Sequence, residues 1–336
     1  MSTVLVTGSN GFLGVPLVER LIAHGGARVR ALVRPGSDRG KLDAVVAKAR
    51  PGAAEVVAGG LASAAAIAPL LEDVDVVYHL AAGVRGAPAD VFMNTVVPTK
   101  HLCEAMLARR PTPTMVLCSS FSVYGVADLS RGALLDEDTP LEHQPERRDP
   151  YTQDKLRQEL LAREYAAKGM PLVVMRPGTI YGPGGGALSG RVGINVPGLF
   201  VHLGGRNLLP LTYVDNCAEA IAVAGRTPAA LGGTFNIVDD DLVTTRDWLR
   251  RYKRDVNGMR SVSLPYPVTR LLGRAVERYS TWSKGQLPPL LTPYKVASSW
   301  KGNRFTNERL KSIGWRPIVT TAEGLDRTFA WLAARS

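Results

Sequence analysis

Tyr151 and Lys155 stand four residues apart in the segment YTQDK. On a helix that spacing sets both side chains on one face. A phenol, with an ordinary pKa of about 10, is a poor base at neutral pH, but a neighbouring ammonium favours its ionised form. Tyrosinate can then accept the proton of an alcohol while hydride leaves the carbon that bears it. Tyr-x-x-x-Lys on its own is a common coincidence. It gains weight by lying one strand–helix unit after CSSFSVYG, whose Ser120 ends a fifth strand and can hydrogen-bond the reacting oxygen. Ser120, Tyr151 and Lys155 are therefore the candidate catalytic residues.

A second constellation opens the chain. VLVTGSNGFLG places Gly8, Gly11 and Gly14, with Asn10, Phe12 and Leu13 between them, at the passage from a first strand to a first helix. Glycines suit that place because the turn is tight and the backbone must come close to a pyrophosphate whose charge rests on the helix N-terminus. The second strand runs into ALVRPGSDRGK, where binders of the non-phosphorylated dinucleotide usually carry an acid for the adenosine ribose. No acid stands there. Arg34, with Arg39 and Lys41 nearby, suits a 2′-phosphate instead, although a basic exposed loop would look the same. The cofactor expected is NADP or NAD, with NADP favoured.

The elements that position these residues follow from periodicity. STVLVTG, ARVRALVR, AEVVAG, DVDVVYHLAA, TMVLCSS and PLVVMRP are short, nearly continuous apolar runs separated by helical stretches. That alternation predicts an α/β fold with a Rossmann-type doubly wound parallel sheet, covered on both faces. Gly25 and Gly26 end the first helix. Asp149 and Pro150 open the helix that carries Tyr151, as an N-cap followed by proline at the first helical position, and Gly169 stops it. Pro16 is expected in the second turn of the first helix, where it should kink it. Beyond Pro177 the alternation gives way to GTIYGPGGGALSG and a Pro- and Trp-bearing C-terminal third. The expected division is a dinucleotide-binding domain over 1–176, rejoined by about 213–238, and a smaller C-terminal substrate-binding lobe from 177–212 and 239–336. In that lobe Val268, Leu271, Leu272, Ala275, Val276 and Tyr279 recur at helical spacing opposite Arg270, Arg274 and Arg278. This helix is expected to pack on the core or on a subunit partner rather than on a membrane.

Composition narrows the function. Lys and Arg exceed Asp and Glu by 41 to 30, a formal charge of +11 over 336 residues. The basic residues are dispersed and no aromatic-interleaved basic strand occurs, so nucleic acid is not an expected partner; an anionic small-molecule substrate is. No run approaches the roughly 20 apolar residues of a membrane span, and the N-terminus enters a strand at once, without a signal peptide. Cys103, Cys118 and Cys217 are far apart, and the five histidines show no ligand spacing. Neither disulfides nor a metal site is expected, and a reducing cytoplasm fits. A homodimer is compatible with all of this.

TGSNGFLG, VVYHLAAG, the stretch from Asn94 to Thr99, SSFSVYG, YTQDK, RPGTIYGPG, TYVDNCAEAI, TFNIV and LKSIGWRP together resemble, in order and over nearly the whole chain, the extended short-chain dehydrogenase/reductases of the NAD-dependent epimerase/dehydratase family. The resemblance implies that Gly8, Gly11 and Gly14 bind the pyrophosphate and that Ala81, Ala82 and Gly83 wall the cofactor. It further implies that Pro177, Gly178 and Thr179 line the nicotinamide, while Tyr151 and Lys155 touch it as well, Lys155 through the ribose. Leu61 marks the adenine end, where Gly60 replaces the family's usual Asp. His79 and Asn94 match family positions and serve packing or helix geometry as readily as chemistry. Thr179 replaces the Asn common in nucleotide-sugar enzymes, and TYVDN resembles the hydroxysteroid-dehydrogenase-like branch as much as the sugar branch.

The function this implies is hydride transfer at a secondary alcohol or ketone, foremost of a nucleotide-activated sugar, as a 4-epimerase or 4-ketoreductase. The alternative is a reductase or dehydrogenase of a non-sugar ketone, which Thr179 and the bulky Phe121 favour. A cofactor-binding module without turnover is a third, opposed by the intact Ser120, Tyr151 and Lys155. The Asp-Glu pair of sugar dehydratases is replaced here by Phe121 and Ser122, and Asp136, Glu137 and Asp138 are expected in a solvated loop. Loss of water or carbon dioxide from a nucleotide sugar is therefore not expected.

Overall fold

The computed structural model describes residues 2–186, 190–196, 198–283 and 291–335. Its first half reads β1 (Ser2–Thr7), α1 (Gly14–His24), β2 (Ala27–Val33), α2 (Gly40–Val46), β3 (Ala54–Ala58), α3 (Ala64–Ile67), β4 (Val74–His79), α4 (Pro88–Leu107) and β5 (Thr114–Cys118). The middle adds β6 (Leu134–Leu135), α5 (Pro150–Ala167), β7 (Leu172–Pro177), β8 (Thr179–Tyr181), β9 (Gly193–Val196), β10 (Leu199–His202), β11 (Leu211–Tyr213) and α6 (Val214–Arg226). The last part holds β12 (Thr234–Ile237), α7 (Thr245–Asp255), β13 (Ser261–Ser263), α8 (Tyr266–Trp282), α9 (Pro293–Trp300), β14 (Arg304–Phe305), α10 (Glu308–Ser312) and α11 (Thr321–Ala333).

Seven strands form one sheet in the order β12-β7-β5-β4-β1-β2-β3, and every neighbouring pair runs parallel. Alternation along β1 sends Val4 and Val6 into one buried cluster and Leu5 into another, as the two-residue period of a strand requires. The first cluster takes in Leu17 and Val18 of α1 and Ile221 of α6. The second takes in Leu102 and Met106 of α4 and Ala162 of α5. Both faces are thus covered, which is why the strands carry few polar residues. The registers Thr7↔His79, Thr7↔Leu32, Cys118↔Met175 and Ile237↔Pro177 bring the carboxyl ends of six strands to one edge.

Segments beyond β7 build over that edge. β8 pairs with β11, β10 lies between β9 and β13, and β14 pairs with β6. The last pair ties the C-terminal part to the loop before α5 through Arg304↔Leu134.

Two expectations need correction. α1 begins at Gly14, so Pro16 lies in its first turn, not its second. Val15 N reaches Gly11 O and Leu17 N reaches Leu13 O; proline occupies the single position between them, near a helix start where orphan amides are normal. The helix at 266–282 forms, but Val268, Leu271, Leu272 and Tyr279 do not pack on the core: they are exposed, while Thr269, Gly273 and Ser280 face inward. Close approach decides this, because a Cβ on Gly273 would stand 3.3 Å from Pro293 N at the start of α9. Among the described residues no helix is long and apolar enough to cross a membrane.

Candidate active site

Helix α5 is started by its own sequence. The Asp149 carboxylate accepts from Thr152 N at 3.0 Å and from Thr152 Oγ1 at 2.8 Å, and Pro150 takes the first helical position. Tyr151 and Lys155 consequently lie on its first two turns, beside the end of β5. After Cys118 the chain turns so that Ser120 caps a short 3-10 helix, Phe121–Val123, its Oγ accepting from Ser122 N at 3.1 Å. The Ser120 hydroxyl stands near enough to the Tyr151 phenol to favour its ionised form. Burial pushes the Tyr151 phenol up to about 12, with Cys118 and Asp149 adding to the rise and the Ser120 hydroxyl opposing it. The phenol is therefore a protonated donor at neutral pH in the protein alone.

Lys155 is buried, and burial draws its ammonium pKa down against the opposing pull of Cys118 and Glu159. It donates to Cys118 O at 2.5 Å and to Gln158 Oε1. Gln158 Nε2 in turn donates to Thr99 Oγ1 at 2.8 Å. Thr99 Oγ1 gives its only proton to Thr95 O at 2.6 Å, so the His79 Nε2 that stands 2.8 Å from it must be the protonated nitrogen. His79 Nδ1 then accepts from Thr7 Oγ1 at 2.8 Å. Burial, and secondarily Lys155, holds His79 down to about 3, so it stays neutral. A chain of neutral groups thus runs from β1 through β4 and α4 to the candidate lysine. Sequence reasoning found His79 and quoted Thr99 only as the end of the Asn94–Thr99 stretch, without a role; it missed Gln158, which belongs to no local motif.

The glycine turn fits a dinucleotide. Gly8 has φ +69°, and a Cβ there would meet Ala81 N at 3.0 Å. A Cβ on Gly14 would lie 2.1 Å from Gly8 O, inside any permitted contact. No side chain caps α1 and no acid lies in its first turn, which leaves the positive end of this helix for a pyrophosphate. Asn10 Nδ2 donates to Asp38 O at 2.9 Å, Phe12 packs toward Gly184 and Gly185, and Leu13 joins the core. Arg34 is exposed just past β2, its guanidinium 3.3 Å from Asn94 Oδ1. Asn94 also donates to Asp90 O at 2.7 Å. Leu61 is half-buried and its carbonyl lies 3.1 Å from His101 Nδ1. Ala81 N reaches Thr7 Oγ1 at 3.3 Å and Gly83 N reaches Thr95 Oγ1 at 2.9 Å, with Ala82 between them. Pro177 ends β7; Gly178 N donates to Ile237 O at 3.0 Å and Thr179 N to Pro210 O at 2.6 Å. All these positions follow strand carboxyl ends, the edge at which ligands of open parallel sheets bind.

Around the ends of β5 and β7 lie further groups, several of which the sequence did not single out. Arg176 and Glu159, both buried, pair at 2.5 Å, and Ser119 Oγ donates to the same carboxylate at 2.5 Å. The Arg176 guanidinium lies 4.6 Å from the centre of the Tyr124 ring. A cleft beside Phe121 is lined by Val126, Leu135, Phe305, Leu208 and Arg191. Burial and the neighbouring Arg148 draw the Arg191 pKa down to about 10. Arg148 also donates to Tyr294 Oη at 2.8 Å, and that hydroxyl donates to Glu142. The acidic loop is solvated only in part: Asp138 is exposed as expected and Asp136 half-buried, but Glu137 is not solvated. Glu137 is buried and accepts from Asn236 N of β12 at 2.8 Å, and Asp138 binds Arg309 at 2.5 Å. Burial raises the Glu137 pKa, but its carboxylate is committed to the sheet edge.

Comparison with known proteins agrees with this architecture. A family model described as "NAD dependent epimerase/dehydratase family" matches residues 4–237. The human sterol-4-alpha-carboxylate 3-dehydrogenase, decarboxylating, is 26% identical over 338 residues, covering 96% of this chain and 86% of that protein. A 3-diazoavenalumate denitrifying reductase from a Streptomyces species is 30% identical over 340 residues, covering 96% and 99%. In fold, UDP-glucuronic acid 4-epimerase from Bacillus cereus, solved with UDP-glucuronic acid and NAD, superposes with a TM-score of 0.72 at 20% identity, covering 99% of this chain and 100% of that one.

Proposed function

The chain belongs to the NAD dependent epimerase/dehydratase family, and on that premise we propose that it reduces a ketone, or oxidises the corresponding secondary alcohol, on an anionic small-molecule substrate. The observation that carries this is the end of β5, where Ser120 caps the turn beside helix α5 with Tyr151 and the buried Lys155 donates to Cys118 O at 2.5 Å; the cleft next to the adjoining Phe121 joins Val126, Leu135 and Phe305 to Arg191, Asn207, Thr245, Ser298 and Asn303. A bound nicotinamide dinucleotide would supply or accept the hydride. Tyr151 gives its proton to the oxygen of the ketone being reduced, or takes it from the alcohol being oxidised, while Ser120 hydrogen-bonds the same oxygen. Lys155 holds a positive charge one helical turn away and favours the phenolate when the alcohol is the substrate. A sugar 4-epimerase or 4-ketoreductase is the second reading, supported by the epimerase membership of the family.

The residues proposed to hold the cofactor are the glycine turn from Gly8 to Gly14, Arg34, Leu61, Ala81 to Gly83, Tyr151, Lys155 and Pro177 to Thr179. Within that set Arg34 supports a preference for the 2′-phosphorylated form. Titrating both cofactors tests it: NADP should bind the tighter, and Arg34→Ala should erase the difference. Equal or tighter NAD binding, with a ratio untouched by Arg34→Ala, would overturn the preference. The same reading places the enzyme in the cytoplasm. It also favours a homodimer through α4 and α5, whose outer faces expose Phe92, Met93 and Leu160.

A further inference from the structure

Helix α8 is built the wrong way round for a helix that only packs on its own domain. Leu271 is 68% exposed and Trp282 76%, with Val268 at 44%, Leu272 at 43% and Tyr279 at 50%. The residues it turns inward are Thr269, Gly273 and Ser280. At helical periodicity Val268, Leu271, Leu272, Ala275, Tyr279 and Trp282 fall within an arc of about 100°. Arg270, Arg274 and Arg278, at i, i+4 and i+8, form a second stripe along one margin of that arc, and all three are exposed. Glu277 is the one acid on the helix. The surface therefore has three sectors: small residues against the protein, a wide apolar face toward solvent, and a row of guanidiniums beside it.

We propose that α8 docks this protein on an anionic lipid surface, lying in the plane of the interface with its apolar face toward the acyl boundary. Contiguous exposed apolar residues mark an interaction surface, and the arginine row identifies its partner. Guanidiniums at the margin of an apolar face reach phosphate headgroups while the Leu, Tyr and Trp side chains enter the less polar layer. Tyr279 and Trp282 suit that boundary because each joins an apolar ring to a polar group. The chain's formal charge of +11 adds long-range attraction to the same surface. A second copy of the chain fits less well, since an antiparallel two-fold pairing of this face would bring two arginine rows to the same side. The inference goes beyond the proposed reaction and does not depend on it.

The test uses the whole protein with sedimenting vesicles of phosphatidylcholine alone or mixed with phosphatidylglycerol. Binding should require the anionic lipid, fall with salt, and shift the emission of the exposed Trp282 to the blue. Arg274→Ser and Arg278→Ser should each weaken partitioning about fivefold. Leu271→Ser combined with Trp282→Ser should weaken it at least about tenfold, with the circular dichroism spectrum unchanged, because both side chains project from the fold. Phe92→Ser, on α4, should bind vesicles like the wild type. Absence of anionic-vesicle binding, or equal binding by the α8 variants, would overturn the proposal. So would a dimer that Leu271→Ser dissociates in a protein that ignores vesicles, which would assign the face to a second copy.

Discussion

Lys155 holds its ammonium between Cys118 O and Gln158 Oε1, and Tyr151 keeps its proton because burial disfavours the phenolate. Their roles separate in substitution. Tyr151→Phe should lower turnover by at least about a thousandfold while cofactor affinity, measured by fluorescence titration, stays within about twofold. Lys155→Ala should lose both turnover and affinity. Comparable rates for wild type and Tyr151→Phe on any accepted substrate would remove Tyr151 from the chemistry. The pH dependence follows from the same groups. With Tyr151 raised to about 12, the protonated form needed for reduction persists below that value, so reduction should be flat from about pH 6 to 9 while oxidation climbs. His79, held to about 3, does not titrate in that window. Gln158 offers a neutral acceptor that favours the ammonium. Gln158→Leu should therefore move the alkaline fall of oxidation to lower pH, and Gln158→Glu should move it back. Facing Lys155 are Cys118 of β5, Glu159 of α5 and the neutral His79 of β4, none of which changes in these variants. Superimposable pH profiles would show that Gln158 does not position the lysine.

At the scale of elements, α5 carries the candidate pair because a two-residue signal starts it at the right place. Replacing Asp149 by Ala removes the bonds to Thr152 N and Oγ1 and should cost about 1 kcal/mol of stability in chemical denaturation. Asp149→Asn, which retains the capping oxygen, should recover most of that. If Ala and Asn variants unfold at the same denaturant concentration, the cap is not what stabilises the helix start. α1 shows a different logic: its N-terminus is left uncapped by side chains at the point where the glycine turn delivers backbone amides. In α8 the hydrophobic period correctly marks a helix, yet period alone could not say which face meets the protein. The contact of Gly273 with the start of α9 settles that.

In the whole molecule, the C-terminal part and the sheet edge are joined by polar ties that engage Glu137 and Asp138 of the loop before α5. Glu137 binds Asn236 N, Asp138 binds Arg309, and Asn307 Nδ2 reaches both Val238 O and Asp240. Phe121 and Ser122 stand where a dehydratase needs an acid and a base, and Glu137 and Asp138 are engaged in these ties. Incubation with UDP-glucose, dTDP-glucose or UDP-glucuronate and either cofactor should therefore give no product lighter by one water or one carbon dioxide. A mass loss of either kind would refute this. The sequence by itself determined the alternation of strands and helices, the glycine turn, the cap of α5 and the Tyr151–Lys155 spacing, because each is written within a few consecutive residues or one helical turn. Only the tertiary structure decided that Gln158 meets Thr99 across 59 residues, that Glu137 meets Asn236 across 99, and that α8 turns its large side chains outward. Such contacts depend on how covered strands stack their helices and on which small residues permit close approach, and neither leaves a periodic trace along the chain.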